Sequence, residues 1–405
     1  MNQWTILPIG NTFIWWTIYL LILIFIFKIK PKYYDINNEQ YLSLVKLYIF
    51  WNIVCVIRGF FVAQDYWEWK QLISSSLIFL LPIIIFVSTH RLFVQNFFSK
   101  WISFAFPIFS VFILFTEYGA YGRYLFPMSI LLIFLPLLQR KWIVIILANL
   151  VFVSLIDLGA RSNVIKFIVP FAFGLLYYMR PFVGKKIIGL GCILLLGLPI
   201  ILFILGLTGQ FNVFKISDYI KGSYTSNASS GEQEDLTADT RTGLYIEVLS
   251  SAILNDYVWL GRTPARGNDS VLFGAEIEAQ TNSGKFERYA NEVSILNIFT
   301  WTGIIGVILY FLVFIKATYL ALNKSKSWYM KILALYLCFR WSYAWVEDFS
   351  RFDLSYTLLW IIIGMCYSSS FRNMTDREFK YWVRGIFDTR YRKATLKKVQ
   401  VIKQS

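Results

Sequence analysis

Long apolar runs alternate with short polar connections along almost the whole chain. The runs are as long as a bilayer is thick: a hydrocarbon layer of about 30 Å takes roughly 20 helical residues. Stretches of this kind lie near 12–29, 41–63, 71–89, 101–116, 124–139, 142–158, 163–179, 187–208, 292–316, 328–346 and 354–371. The pattern predicts an all-α, polytopic transmembrane helix bundle of about eleven spans. The shortest runs, 101–116 and 124–139, carry Pro107, Pro127 and Pro136. Proline is tolerated there because neighbouring helices satisfy the freed backbone groups. Met1 to Gly10 carry no basic residue and no small-residue cleavage site follows before Lys28, so the first run reads as a span and not as a removed leader.

One segment breaks the alternation. Residues 209–291 are polar and turn-rich, with Gly222-Ser223, the run Asn227 to Asp235 and Gly267-Asn268-Asp269. A connection this long is expected to carry function. The chain therefore divides into eight helices over 1–208, a large extracytoplasmic loop over 209–291, three helices over 292–371 and a basic cytoplasmic tail over 372–405.

Composition narrows the class. Hydrophobic residues make up 57% and charged residues 16%, against about 25% charged in an ordinary soluble protein. Disorder is excluded by the apolar content, and four cysteines are too few for a disulfide scaffold. A single histidine, His90, argues against His-rich metal sites and Ser-His-Asp chemistry. The net charge of +15 changes the picture once it is divided by connection. Lys28, Lys30, Lys32, Arg91, Lys100, Arg140, Lys141, Arg180, Lys185, Lys186, Lys324, Lys326 and Lys331 all fall in alternate connections. The other short connections hold only Lys70, Arg123, Arg161 and Arg351. By the positive-inside rule the N-terminus and the 209–291 loop are outside and the tail is inside. The tail, with Trp382, Ile386 and Phe387 among Lys380 and Arg384, reads as an interfacial helix on the inner leaflet, and nucleic acid is not an expected partner.

The informative charges are those that break this rule. Arginine presents a planar fork matched to phosphate oxygens. Outward arginines are Arg123, Arg161, Arg241, Arg262, Arg266, Arg288 and Arg351. Arg58, Lys166 and Arg340 lie within the outer half of their spans with no carboxylate at membrane depth. Intramembrane charge is costly and usually faces a partner or a cavity. The expected site is a cationic pocket for a lipid-linked pyrophosphate, built from Arg58, Arg161, Lys166, Arg241, Arg262, Arg266, Arg288, Arg340 and Arg351. The bland alternative is snorkelling, with each cation simply reaching the headgroups. Loop-end acids such as Asp65, Glu117, Asp157 and Glu347 are within reach of some of the cations, and Glu347-Asp348 is expected to hold Arg340 and Arg351.

Two further motifs bear on chemistry. Asp239 to Glu247 opens a helix capped by Asp239 or Thr240, with Leu244, Val248, Leu249, Ala252 and Ile253 as its apolar face; it reads either as a surface helix lying on the membrane or as a helix whose Arg241, with Arg262, frames a substrate groove. Glu292 stands at the mouth of the next span, which carries Gly303-Ile304-Ile305-Gly306 at its middle. An acid there is favoured by the helix dipole, and it is also where a general base is needed.

Gly159-Ala160-Arg161-Ser162, then Arg241 with its helix and Gly261, then Glu292 followed by Gly303-x-x-Gly306 together resemble the Wzy-type O-antigen and capsular repeat-unit polymerases and the related O-antigen ligases. The resemblance implies an inverting, metal-independent glycosyltransferase of the bacterial inner membrane that needs no cofactor. Donor and acceptor would both be glycans on polyprenyl (undecaprenyl) pyrophosphate, and a chain-length regulator is a further partner that the resemblance suggests. It implies that Arg161 and Arg241 act on the pyrophosphate and that Glu292 stands in the base position, where many relatives have histidine. The competing readings are an O-antigen ligase and a flippase or transporter for lipid-linked sugars. Clustering of the intramembrane cations toward one side favours a one-sided site over a transport path.

Overall fold

The computed structural model describes residues 10–116, 120–156, 161–208, 225–227, 233–235 and 241–392. It is an all-α membrane-type fold. Five helices are long and apolar enough to cross a membrane: Thr12–Tyr33, Ser43–Val62, Tyr66–Ser88, Lys185–Leu207 and Ser294–Asn323.

In chain order, α1 (Thr12–Tyr33) and α2 (Ser43–Val62) precede α3 (Tyr66–Leu80), which runs through a 3-10 turn into α4 (Ile85–Ser88). Then α5 (Arg91–Lys100) passes through a π-turn into α6 (Phe106–Phe112). The pieces α7 (Tyr121–Tyr124) and α8 (Phe126–Ile133) are followed by α9 (Arg140–Ile156), α10 (Arg161–Leu175) and α11 (Lys185–Leu207). Between α11 and the last helices lie a hairpin of β1 (Thr225–Asn227) and β2 (Gln233–Asp235), then α12 (Thr242–Leu254). A second hairpin, β3 (Asn268–Asp269) with β4 (Glu287–Arg288), brackets α13 (Gly274–Thr281). The chain continues through α14 (Ser294–Asn323), α15 (Trp328–Tyr343), α16 (Leu354–Tyr367), α17 (Ser369–Arg372) and α18 (Asp376–Phe387).

Burial sorts the helices. Nearly every residue of α16 is buried, and α14 and α15 pack around it. By contrast, α1 buries only Leu23 and Ile26, and its Phe13, Leu21 and Phe25 are exposed. Exposed apolar side chains all around a helix are what a lipid-facing helix shows. The apolar stretches fall largely on helical structure among the described residues, but 101–116 passes through a π-turn and a 3-10 turn and 124–139 is not one continuous helix. Its α-helical core, α8, is eight residues long, about 12 Å, and proline opens both α8 and the following 3-10 turn. Every α8 side chain is buried, which makes it an interior element.

Two helices depart from the sequence reading. First, α14 is broken at Gly303, whose φ of 67° and ψ of −174° are non-helical. The segment after α12 fills that break. Ile304 N–H donates to Val258 O (2.9 Å), Ile305 N–H to Trp259 O (3.4 Å) and Arg262 N–H to Thr300 O (2.7 Å). The freed helix-end groups are therefore paired inside the protein, the condition for a broken helix at a membrane. Second, the tail helix does not offer its apolar face to lipid. Phe379, Trp382, Val383 and Ile386 of α18 are buried in the bundle. Trp382 donates its indole N–H to Arg91 O, and Gln95 donates to Trp382 O. A capping box of Thr375 and Glu378 starts this helix, satisfying two of its free N–H groups.

Candidate functional site: a cationic junction at the loop-bearing end of the bundle

The turn between α15 and α16 gathers cations from different elements. Arg241, just before α12, donates its Nε to Val346 O at 3.2 Å. Lys166 of α10 reaches Glu347 at 3.3 Å. Arg351 pairs with Asp348 at 2.8 Å. Ser294, the first residue of α14, ties its own N–H to Glu347 O and its hydroxyl to Asp348. Three consecutive residues, Val346 to Asp348, thus pin α10, α14 and the entry to α12 to one point. The expectation that Glu347 and Asp348 hold arginines is met at Arg351, while Glu347 takes Lys166 instead.

Glu292 lies at the exposed mouth of this junction. Its carboxylate accepts from Arg241 at 2.8 Å and from Arg288 at 3.3 Å. It is half exposed, so water and a hydroxyl have access. Arg288 also covers the ring of Phe273 at 4.1 Å, and its buried NH1 has no partner among the described residues. Two guanidiniums converging on one half-exposed carboxylate are suited to a divalent oxyanion that takes its place.

An apolar groove ends at the same place. It encloses about 280 Å³ between α11, α12 and the end of α15, with Leu202, Phe203, Leu207, Tyr245, Leu249 and Trp345 in its walls. Thr242 and Val346, neighbours of the Arg241 contacts, complete its lip. Tyr245 gives its hydroxyl proton to Trp345 O at 2.7 Å. Burial pushes this phenol well up, so it remains a neutral donor that fixes α12 to the turn.

Beneath the mouth the charge is enclosed. Arg340 is 1% exposed and forms no ion pair among the described residues. It donates to Ser355 at 3.1 Å and is held between the rings of Phe349 (4.0 Å) and Phe126 (5.2 Å). The adjoining cavity, lined by Arg123, Lys166, Asp348 and Asp353, is about 10 Å³, room for one water and far too small for pyrophosphate. Lys166 and Arg340 are therefore not in line with Arg241 as one open pocket.

The remaining expected cations sit elsewhere. Arg58 donates to Leu260 O at 2.6 Å and to Gly261 O at 3.2 Å, holding the segment that fills the α14 break. Arg262 pairs with Asp269 (2.8 Å) and Glu287 (3.1 Å). Arg266 pairs with Glu287 and, at 3.2 Å, with the fully buried Glu68. Lys285 bridges Glu68 and Asp65. This network fastens the loop to the start of α3. Arg161 begins α10, but its side chain lies outside the described residues, as do Glu117, Asp157, Asp239 and Thr240. Its neighbour Ser162 is at the junction, accepting at its carbonyl from Tyr343 (3.2 Å) and at its hydroxyl from Lys166 (3.3 Å).

Of the ten expected site residues, the mouth brings together Arg241, Arg288 and Glu292. The sequence placed a groove between Arg241 and Arg262, whereas Arg262 is held by Asp269 and Glu287 and the apolar groove runs between α11 and α12. Its only linear trace is the spacing of Tyr245 and Leu249, four and eight residues after Arg241, which puts all three near one face. Comparison with family models, with curated proteins and with solved structures found no match for this chain.

Proposed function

We propose that this chain is a membrane-embedded glycosyltransferase that polymerises polyprenyl-pyrophosphate-linked oligosaccharide repeat units into O-antigen or capsular polysaccharide. It works on the outer face of the bacterial cytoplasmic membrane with about eleven spans, its N-terminus outside and its basic tail in the cytoplasm. The observation that carries the reading is the apolar groove ending beside Arg241, which shares Glu292 with Arg288. A polyprenyl chain fits such a groove, and the paired guanidiniums fit the pyrophosphate at its head.

In this reading the incoming pyrophosphate takes the donors of Arg241 and Arg288 and so releases Glu292. The acceptor hydroxyl oxygen attacks the anomeric carbon of the donor glycan with inversion. Its proton passes to Glu292. The bond between the anomeric carbon and the pyrophosphate oxygen breaks, and the electron pair leaves with the pyrophosphate. The two guanidiniums, already aimed at the mouth, stabilise the charge that develops there, the role a metal has in other transferases.

The test is purified protein with a lipid-pyrophosphate repeat unit. A ladder of lengthening products is expected, and a single unconverted band would overturn the proposal. A transport reading draws some support from the broken helix α14, a device found at transporter binding sites. A deletion strain separates the readings. Loss of a polymerase leaves single repeat units on the surface lipid, and loss of a ligase leaves long polymer on the carrier. Without a flippase, the repeat unit stays facing the cytoplasm.

A further inference from the structure

Ile253 belongs to the apolar face read for α12, yet this side chain is 73% exposed, and Leu254 beside it is 83% exposed. Trp259 follows at 68%, with Leu260 also open. Four large apolar groups within eight residues therefore face outward on one turn. Singly exposed hydrophobes are ordinary, whereas a contiguous apolar patch marks a contact surface.

The hydrogen bonds of this turn say what it contacts. Trp259 O and Val258 O accept from Ile305 and Ile304, which places the turn directly at the head of the second half of α14. That half runs from 304 to 323, about 30 Å of helix, the thickness of a hydrocarbon core. Its Ile308 and Ile315 are exposed. On the other side, Arg58 grips Leu260 O next to Ile57 and Phe61, which are exposed on α2. The apolar patch is thus continuous with the bare faces of two long apolar helices. Its polar neighbours do not break it. Asn255 turns away to Asp269 at 2.6 Å. Asp256, at φ 52°, is the one charge in the turn and keeps it from sinking deeply.

We propose that the turn 253–260 is a membrane-inserted element, with Ile253, Leu254, Trp259 and Leu260 in the headgroup–acyl boundary of the leaflet on the loop side. An amphipathic indole suits that boundary. Insertion to about 5–10 Å is typical of such interfacial segments. Because the loop is locked to α14 through Gly261 and Gly303, insertion fixes the height of the Arg241 mouth above the lipid. The inference stands on burial and hydrogen bonding and does not depend on the glycosyl-transfer reading.

Nitroxide labels test it on the full-length protein in phosphatidylcholine–phosphatidylglycerol vesicles. Leu254→Cys and Trp259→Cys are compared with Ile308→Cys as the lipid reference and Glu276→Cys as the water reference. The four native cysteines are buried and stay unlabelled. Labels at 254 and 259 are expected to collide with dissolved oxygen in preference to a water-soluble nickel chelate, as the label at 308 does. Preference for the nickel chelate, as at 276, would overturn the proposal. If Trp259→Cys folds poorly, Leu254→Cys decides alone.

Discussion

Gly261 and Gly303 cross backbone to backbone. A Cβ on Gly261 would lie 2.5 Å from Gly303 N, and a Cβ on Gly303 would lie 2.2 Å from Trp259 O. Both glycines have positive φ, 72° and 67°. The crossing joins the large loop to the broken helix α14, and with it sets the position of everything between Arg241 and Glu292.

Gly303→Ala is expected to be severe. The ψ of −174° places Gly303 in a region open essentially to glycine alone. Occupying it costs another residue about 1–3 kcal/mol, and the clash with Trp259 O adds to that. The measurement is detergent-solubilised thermal unfolding, with Gly197→Ala, where a Cβ meets nothing within 4 Å, as the tolerated control. Equal melting of the two variants would remove the crossing from the account.

Truncating the mouth should separate its members. Arg241→Ala is expected to slow polymer formation by roughly 10²–10³-fold, as for loss of one preorganised oxyanion donor. Glu292→Gln should slow it on the order of 10²–10⁴-fold if it is the base. Arg241→Lys keeps the charge but loses the fork and should recover only part of the rate. Product ladders over time give these rates, and wild-type rates in Glu292→Gln would rule out its role as base.

The buried carboxylate of Glu68 is matched by Arg266 and Lys285. Replacing it with Ala takes one of two carboxylates from each cation, since Arg266 keeps Glu287 and Lys285 keeps Asp65. The cost is therefore roughly 1–3 kcal/mol, that of leaving buried donors partly unsatisfied, and below that of a fully broken buried pair. The loop should become protease-sensitive while the helices stay protected. Limited proteolysis followed by mass mapping would show cleavage between 255 and 290.

The same network gives a pH dependence. Burial alone would raise Asp65, but hydrogen bonds from Glu68 N–H, Lys285 and Trp67 N–H outweigh it and hold the carboxyl below its usual range. Asp269 is held down likewise against burial, by Arg262, Asn255 and Ser251. Lys285 is raised: burial opposes its charge, and Glu68 and Asp65 overcome that. The depressed carboxylates contribute stability that is present above their unfolded value, about pH 3.9. It is lost as pH falls through the folded values. The Lys285 contribution is present below about pH 10.4 and is lost as pH rises through its raised value. Protease protection of the loop should therefore hold across neutral pH and fail below about pH 4. The double variant Asp65→Asn, Asp269→Asn should lose that acid limb.

The helices were largely legible in the sequence because a span announces itself by length and composition, as at 43–62 and 185–207. The run 124–139 was less so, since an interior helix in pieces and a lipid-facing helix are equally apolar. The break at Gly303 left only a glycine to mark it. Among the site residues, the helix-mouth position of Glu292 was readable from the start of the following span, whereas its contact with Arg241, 51 residues away, was not. The partners of Arg58, Arg262 and Arg266 were not, because a carbonyl or carboxylate partner leaves no mark on the arginine's own sequence.

By itself the sequence determined that the chain is helical with several runs long and apolar enough to cross a membrane, and where its basic residues concentrate. These are properties of windows about one bilayer thickness long, and they need no partner to be defined. Only the tertiary structure decided which of those cations face an open mouth. Arg58 meets Leu260 across 202 residues and Lys285 meets Glu68 across 217. Pairing over such distances follows from how helices pack and where α14 breaks. The local pattern that makes a helix carries no information about which distant group will neutralise its charge.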